Sequence, residues 1–264
     1  MSKLNTLFRQ RIGFPANDPL SFESLNSILE KTAKAIPFEN LRIIEHRTSD
    51  ICAEQLIDDM LIKEQGGLCY ELNSLLQLFL IENGFDAVLT RGIVFNKTMR
   101  EYAPFGRTHA AILLTHENKT YVVDTGFGGN LPLTPVPLTG ETVSSSNGQF
   151  RIRQEDSEHG DFVLEMKLKY KDTDWNTGYA FDSRKPIADL SECSEIQNII
   201  AAHEQSPFNK HPLLTKRTDA GNMTLTNRSF TQWNHGIVTK ESIDEARYEE
   251  LLRQHFGMQI NPRE

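Results

Sequence analysis

The sequence predicts an α+β chain: a helical first part, an antiparallel β-sheet closing into a small barrel in the middle, and a mixed helix-and-strand segment at the end. Three observations carry that expectation. Apolar residues recur at three- and four-residue spacings as far as Asn83-Gly84, short β-rich runs begin at Ala87, and helix signals return after Leu190. The predicted units are therefore 1–84, 85–189 and 190–264.

In the first unit, Phe22 to Ala35 follows a Ser21/Ser24 start, and Ala53 to Lys63 carries Leu56, Ile57, Met60 and Leu61 on one helical face. Pro37 breaks the pattern between them. A third helix, Cys69 to Glu82, aligns Leu72, Leu75, Leu76, Phe79 and Leu80 and stops at Gly84, a residue suited to a left-handed cap. The second unit reads as strands at Val88–Phe95, Ala110–Leu114, Tyr121–Asp124, Phe150–Arg153, Phe162–Tyr170 and Tyr179–Asp182, with Leu131 to Gly148 expected as surface loop because it is rich in Pro, Thr, Ser and Gly. In the third, a helix leads to Ser206-Pro-Phe208, strands follow at Leu213–Lys216, Met223–Thr226, Phe230–Trp233 and Ile237–Val238, and a last helix opens on Ser242-Ile-Asp-Glu245 and ends at Gly257.

Composition narrows the function classes. A formal charge of −8 disfavours nucleic acid as the main partner, since phosphate binding relies on clustered Lys and Arg, although a local basic patch for a small phosphate ligand is compatible with it. The start of the chain lacks a long apolar stretch, and no run approaches the roughly 18 apolar residues of a membrane span, so the expected address is the cytoplasm. Cys52, Cys69 and Cys193 are too few and too scattered for a disulfide framework or a zinc site, and the eight histidines show no metal-ligand spacing, so no metal is expected.

One cysteine stands apart. In Gln65-Gly-Gly-Leu-Cys69-Tyr-Glu-Leu-Asn73, Cys69 follows a glycine pair and sits in the first turn of an amphipathic helix. The free N–H groups and the helix dipole there favour a thiolate, and the same N–H groups can stabilise an oxyanion; the glycines allow close approach of a ligand. The segment Thr108-His109 to Val123-Asp124 reads as a hairpin turning near His116 to Lys119. The positions of His109 and Asp124 have an odd sum, so with an even-numbered turn they share a face, either directly opposed or one diagonal step apart. A carboxylate so placed holds the imidazole Nδ1 hydrogen and leaves Nε2 for a thiol. Cys69, His109 and Asp124 thereby supply nucleophile, base and orienting group. Asp124 runs into Thr125-Gly126-Phe127-Gly128-Gly129, a turn whose backbone can face a pantetheine or pyrophosphate.

Taken together, Ile36-Pro-Phe-Glu-Asn-Leu41, Gly66-Gly-Leu-Cys-Tyr-Glu-Leu-Asn73, Thr108-His109 and Val123-Asp124-Thr-Gly-Phe-Gly-Gly129 resemble the arylamine N-acetyltransferases in order and spacing, with fainter agreement at Ser206-Pro-Phe208 and Phe256-Gly257. The resemblance implies a helical bundle, a β-barrel and an α/β lid, with a cysteine-protease-like triad of Cys69, His109 and Asp124 at the junction of the first two. It further implies acetyl-CoA as acetyl donor, an arylamine or hydrazine as acceptor, Phe38, Phe127 and Phe208 around the acceptor ring, and Thr108, Gly126, Gly128 and Gly129 beside the donor. Two departures are visible. Gln65 stands where the family usually has arginine, which implies at best a neutral hydrogen bond to Glu39 and some loss of local rigidity. Ala201-Ala-His-Glu-Gln205 replaces the usual Ser-Thr pattern before Ser206, which bears on the pocket rim. The competing expectations are a transglutaminase-like or papain-like amidase, an amide synthase, and a silent binding protein that keeps the pocket.

Overall fold

The computed structural model describes residues 2–259, so residues 260–264 of the third predicted unit lie outside the described residues. Helices α1 (Lys3–Ile12) and α2 (Leu25–Ala35) lead to a two-residue strand β1 (Phe38–Glu39), the short α3 (Leu41–Ile44), α4 (Ala53–Ile57, extended by a wider turn over Asp58–Ile62) and α5 (Cys69–Glu82). Strands β2 (Asp86–Asn96), β3 (Glu101–Tyr102), β4 (His109–His116), β5 (Lys119–Val123), β6 (Val136–Pro137), β7 (Val143–Ser145), β8 (Gly148–Ser157), β9 (Gly160–Leu168) and β10 (Asn176–Pro186) follow. The chain continues through α6 (Ser191–Ala202), β11 (Leu213–Arg217), β12 (Gly221–Thr226), β13 (Ser229–Asn234), β14 (Ile237–Ser242) and α7 (Glu245–Leu251).

The middle strands pair antiparallel in the order β6-β5-β4-β2-β10-β9-β8-β7, with β3 added to β2. Strand β6 comes back against β8, so the sheet curls into a nearly closed barrel. Its interior is filled by Ala111, Leu113, Val122, Phe150, Leu164, Tyr179 and Phe181. The opposite face of β4 and β5, carrying Ala110, Ile112, Leu114 and Val123, packs with the helical core. Strand β4 is thus buried on both faces, which is why its sequence reads as a continuous apolar run instead of alternating. Each such Leu, Ile or Phe contributes roughly 1.5–3 kcal/mol through burial. Helix α5 lies between bundle and barrel, and ten of its residues from Cys69 to Leu80 are buried.

Three expectations need correction. The segment Ile36 to Leu41, read as an interruption between helices, contains β1, and β1 joins the sheet β1-β11-β12-β13-β14 by pairing Phe38 with Thr215. Two residues are too few to show a period, and their partner lies far along the chain. Residues 131–137, expected at the surface, are buried: Leu131 and Leu133 pack with Ala33, and Val136 enters the barrel. Composition signalled turns correctly but could not show that helix α2 and the barrel cover them. The last helix is capped by Asp244, which accepts from the Arg247 N–H; Ser242 belongs to β14.

Candidate active site

The site is assembled where the start of α5 meets the open end of the β4-β5 hairpin. Cys69 is the first residue of α5, and the preceding Leu68 N–H donates to Glu71 Oε2 at 2.8 Å. Glu71 is held by Arg42, which also lies 3.3 Å from Asp59 and donates to Gln65 Oε1 and to the Gly66 carbonyl, each at 3.0 Å. Burial alone would lower the Arg42 pKa, but Glu71, Glu39 and Asp59 overcome it and hold the guanidinium charged. The expected pairing of Gln65 with Glu39 is therefore wrong. Glu39 turns back to accept from the Leu41 N–H at 2.6 Å, Gln65 bonds Arg42, and Arg42 supplies this corner with a buried ion pair.

The glycine pair serves the chain's own packing. A Cβ on Gly66 would sit 2.2 Å from the Pro37 carbonyl oxygen, and one on Gly67 would sit 2.9 Å from Glu71. Both positions are closed by neighbours within the fold, which corrects the expectation that these glycines make room for a ligand.

The hairpin register pairs His116 with Lys119 and Ile112 with Val123. Continued by one residue it sets Asp124 opposite Ala111, one diagonal step from His109. Across that step His109 Nε2 lies 2.7 Å from Asp124 Oδ2. The expected ring assignment is reversed: Nε2 meets the carboxylate, which leaves Nδ1 for the hydrogen bond with Cys69. The sulfur lies 3.4 Å from the Thr108 carbonyl oxygen, close to the His109 main chain and therefore on the Nδ1 side of the ring.

Both members of the His109–Asp124 pair are buried. Burial would lower the His109 pKa, but Asp124 and the Cys69 sulfur outweigh it and push it up to about 10. Burial would raise the Asp124 pKa, but His109, Asn73 and the Gly126 N–H hold it below the ordinary carboxylate value. Asn73 Nδ2 and the Gly126 N–H donate to Oδ1 at 2.9 and 2.7 Å, and Tyr179 donates to Oδ2 at 3.0 Å. Asn73 also bonds the Ala110 carbonyl and accepts from Thr125. Sequence reading missed Asn73 and Tyr179. Asn73 was detectable four residues from Cys69 on the same helical face; Tyr179 lies on β10 with no local signal.

Of this network, Cys69 and His109 open onto an apolar cavity of about 660 Å³, while Asp124, Asn73 and Tyr179 lie behind its wall. Phe38, Phe127 and Phe208 line it, as do Thr108, Gly126, Gly128 and Gly129. Phe38 and Phe208 meet edge to face at 5.7 Å, and Phe127 packs 5.1 Å from both His109 and Tyr179. Met99, Glu101 and Phe105 also line the cavity and were not singled out from sequence, whereas Gln205, another lining residue, belongs to the altered segment before Ser206. Gly126 also abuts the nucleophile's backbone, since a Cβ there would sit 2.5 Å from the Cys69 Cα. Cys193, by contrast, is packed against Ser74, and burial pushes its thiol up to about 11; Cys52 is exposed. Among the described residues, no helix is long and apolar enough to cross a membrane, and no group of three or more His, Cys, Asp or Glu could hold a metal ion.

Comparison with known proteins agrees with this geometry. The N-acetyltransferase family model matches residues 21–264. An uncharacterized acetyltransferase of Bacillus subtilis is 42% identical over 94% of this chain and 95% of its own length. An arylamine N-acetyltransferase crystal structure from Bacillus cereus, described as having a Cys-His-Glu catalytic triad, superposes with TM-score 0.93 at 40% identity, covering 98% of this chain and 100% of that one. The Mycobacterium marinum arylamine N-acetyltransferase in complex with CoA superposes with TM-score 0.82 at 26% identity, over 96% and 92% of the two chains. The helical bundle, the nearly closed barrel and the match along almost the whole chain lead to one conclusion: this chain is an acetyltransferase and belongs to the arylamine N-acetyltransferase family.

Proposed function

We propose that the protein moves an acetyl group from acetyl-CoA through Cys69 to the nitrogen of an arylamine, hydrazine or arylhydroxylamine. One observation carries this reading: Cys69, His109 and Asp124 form a single hydrogen-bonded chain at the wall of an apolar, aromatic-lined cavity. In the first half-reaction the Cys69 sulfur attacks the thioester carbonyl, a new carbon–sulfur bond forms, and CoA leaves with a proton from His109. In the second, the amine attacks the acetyl-cysteine, His109 takes the amine proton, and the sulfur is released. Asp124 stays ionised throughout, orienting the ring and offsetting the imidazolium charge. First-turn N–H groups of α5 lie outside the helical ladder and support the oxyanion.

In this reading 1–84 contributes the nucleophile, 85–189 the base and its carboxylate, and 190–264 closes the cavity with Phe208. Phe38, Phe127 and Phe208 hold the acceptor ring, with Thr108, Gly126, Gly128 and Gly129 along the donor. The test is intact-protein mass spectrometry after acetyl-CoA treatment. An acetyl adduct mapped to the Cys69 peptide, absent in Cys69→Ala and discharged by a hydrazine to give the acetylated product, is expected. Peptide or amide hydrolysis without any acetyl adduct assigns the site to a transglutaminase-like or amidase activity instead.

A further inference from the structure

The wall of the active-site cavity carries one charge that the chemistry above does not use. Apart from the reacting pair Cys69 and His109, Glu101 is the one ionisable residue lining it among the described residues. Cys69 and His109 are buried whereas Glu101 is exposed, so the carboxylate stands towards the opening.

The fold holds Glu101 in that position. Strand β3 pairs with the end of β2, setting Asn96 against Glu101 and Phe95 against Tyr102. Tyr102 packs on the outer face of the barrel with Ile93, Val163 and Ala180, its ring 5.2 Å from Phe95 and 4.1 Å from His159. Successive residues of a strand point to opposite sides, so anchoring Tyr102 on the barrel turns Glu101 and Ala103 to the cavity, where both line it. Asn96 closes the turn before the strand: its Oδ1 accepts from the Thr98 and Met99 N–H groups at 3.0 and 3.1 Å, and its carbonyl accepts from the Arg100 N–H at 2.7 Å. The Ala103 N–H donates to the Val94 carbonyl at 2.8 Å, tying the other end.

The same segment carries three basic residues, and none of them lines the cavity. Lys97 is paired with Asp172 at 3.2 Å, Arg107 gives its guanidinium to the His159 and Glu158 carbonyls at 3.0 Å each, and Glu101 itself has no ion-pair partner among the described residues. Arg100 lies between the lining residues Met99 and Glu101 but outside the wall. Beyond the reacting pair, an acceptor in the cavity therefore meets a single fixed negative charge among apolar and neutral polar groups.

We propose that Glu101 selects the acceptor by charge, favouring arylamines and arylhydrazines whose far end is cationic and disfavouring those that end in a carboxylate. The inference rests on the acetyl-transfer reading given above and names the acceptor class of that same site.

The test uses three acceptors of nearly equal shape: 4-aminobenzamidine, a cation, 4-aminobenzamide, neutral, and 4-aminobenzoate, an anion. Each is mixed with full-length enzyme already acetylated on Cys69, and single-turnover discharge is followed by intact-protein mass spectrometry, so the donor plays no part. Comparing each acceptor between wild type and variant cancels its intrinsic nucleophilicity. In Glu101→Gln the preference for the amidine over the benzoate is expected to fall about tenfold, the scale of two unit charges several ångströms apart near a protein surface, and raised salt should shrink the wild-type preference. The benzamide should discharge wild type and Glu101→Gln alike, and Glu101→Lys should favour the benzoate. A Glu101→Gln effect that is the same for all three acceptors, or no effect, overturns the proposal and leaves Glu101 a piece of wall. The same acceptors are also scored by how well they protect the free Cys69 thiol from iodoacetamide, which needs no acetylation. Charge-ordered protection that depends on Glu101, in a protein that acetyl-CoA never acetylates, sinks the acetyl-transfer reading while this one stands.

Discussion

Tyr179 donates its phenolic O–H to Asp124 Oδ2 at 3.0 Å, the same carboxylate oxygen that His109 Nε2 holds at 2.7 Å. Burial and the Asp124 charge both raise the Tyr179 pKa, so the phenol stays neutral and remains a donor. Tyr179→Phe deletes that donor inside the barrel at almost constant shape. The expected cost is about 1.5–3 kcal/mol by urea denaturation, the range for a hydrogen bond to a charged group. The acetylation rate of Cys69 should fall about tenfold if roughly 1.4 kcal/mol of this reaches the transition state. A variant as stable and as fast as wild type shows that Tyr179 does not position Asp124.

Asp124 gives a sharper contrast between charge and size. Asp124→Asn keeps the volume but removes the charge that holds the His109 proton, and single-turnover acetylation is expected to drop on the order of 10³–10⁴-fold. Asp124→Glu keeps the charge but forces an extra methylene into a position 1% exposed, a strain of about 1–3 kcal/mol. The glutamate variant should therefore lose stability yet stay far more active than the asparagine one. The reverse ranking means that fit, not charge, governs the pair.

The His109 pKa fixes a pH dependence of stability. In the folded protein it is pushed up from 6.5 to about 10, so the group stabilises the fold fully below pH 6.5 and loses that contribution as pH rises towards 10. Melting temperature should fall across this interval. In Cys69→Ala the sulfur no longer helps to hold the proton, so the His109 value drops and the fall should end at a lower pH. Superimposable melting profiles for wild type and Cys69→Ala contradict the coupling.

Gly126→Ala tests the packing of the turn against the nucleophile. The new methyl would sit 2.5 Å from Cys69 Cα and 2.8 Å from Asn73 Nδ2, and neither the helix backbone nor the Asn73 network can yield freely. A loss of about 1–3 kcal/mol is expected, the usual cost of overpacking, together with slower iodoacetamide labelling of Cys69 near neutral pH. Cys193, buried against Ser74, should stay slow in both proteins. Unchanged stability and labelling show that the turn moves aside.

Much of the site was legible because its parts are local. Cys69 after a glycine pair at a helix start, and a hairpin whose count brings His109 and Asp124 to one face, each follow from periodicity and turn arithmetic within a few residues. The roles of Asn73 and Gln65 were harder to read. Their partners, Asp124 and Arg42, lie on other elements, and polar side chains on a helix do not announce which distant group they will meet.

By itself the sequence determined the order of helices and strands, the shared face of His109 and Asp124, and the cysteine with chemistry to offer. Only the tertiary structure decided that Nε2, not Nδ1, faces the carboxylate, that Tyr179 and Asn73 complete the anion's shell, and that β1 crosses into the last sheet. The division has a physical origin. Backbone geometry and hydrophobic period act between near neighbours in the chain, whereas the partners of a buried polar group are set by which segments the packed core brings together.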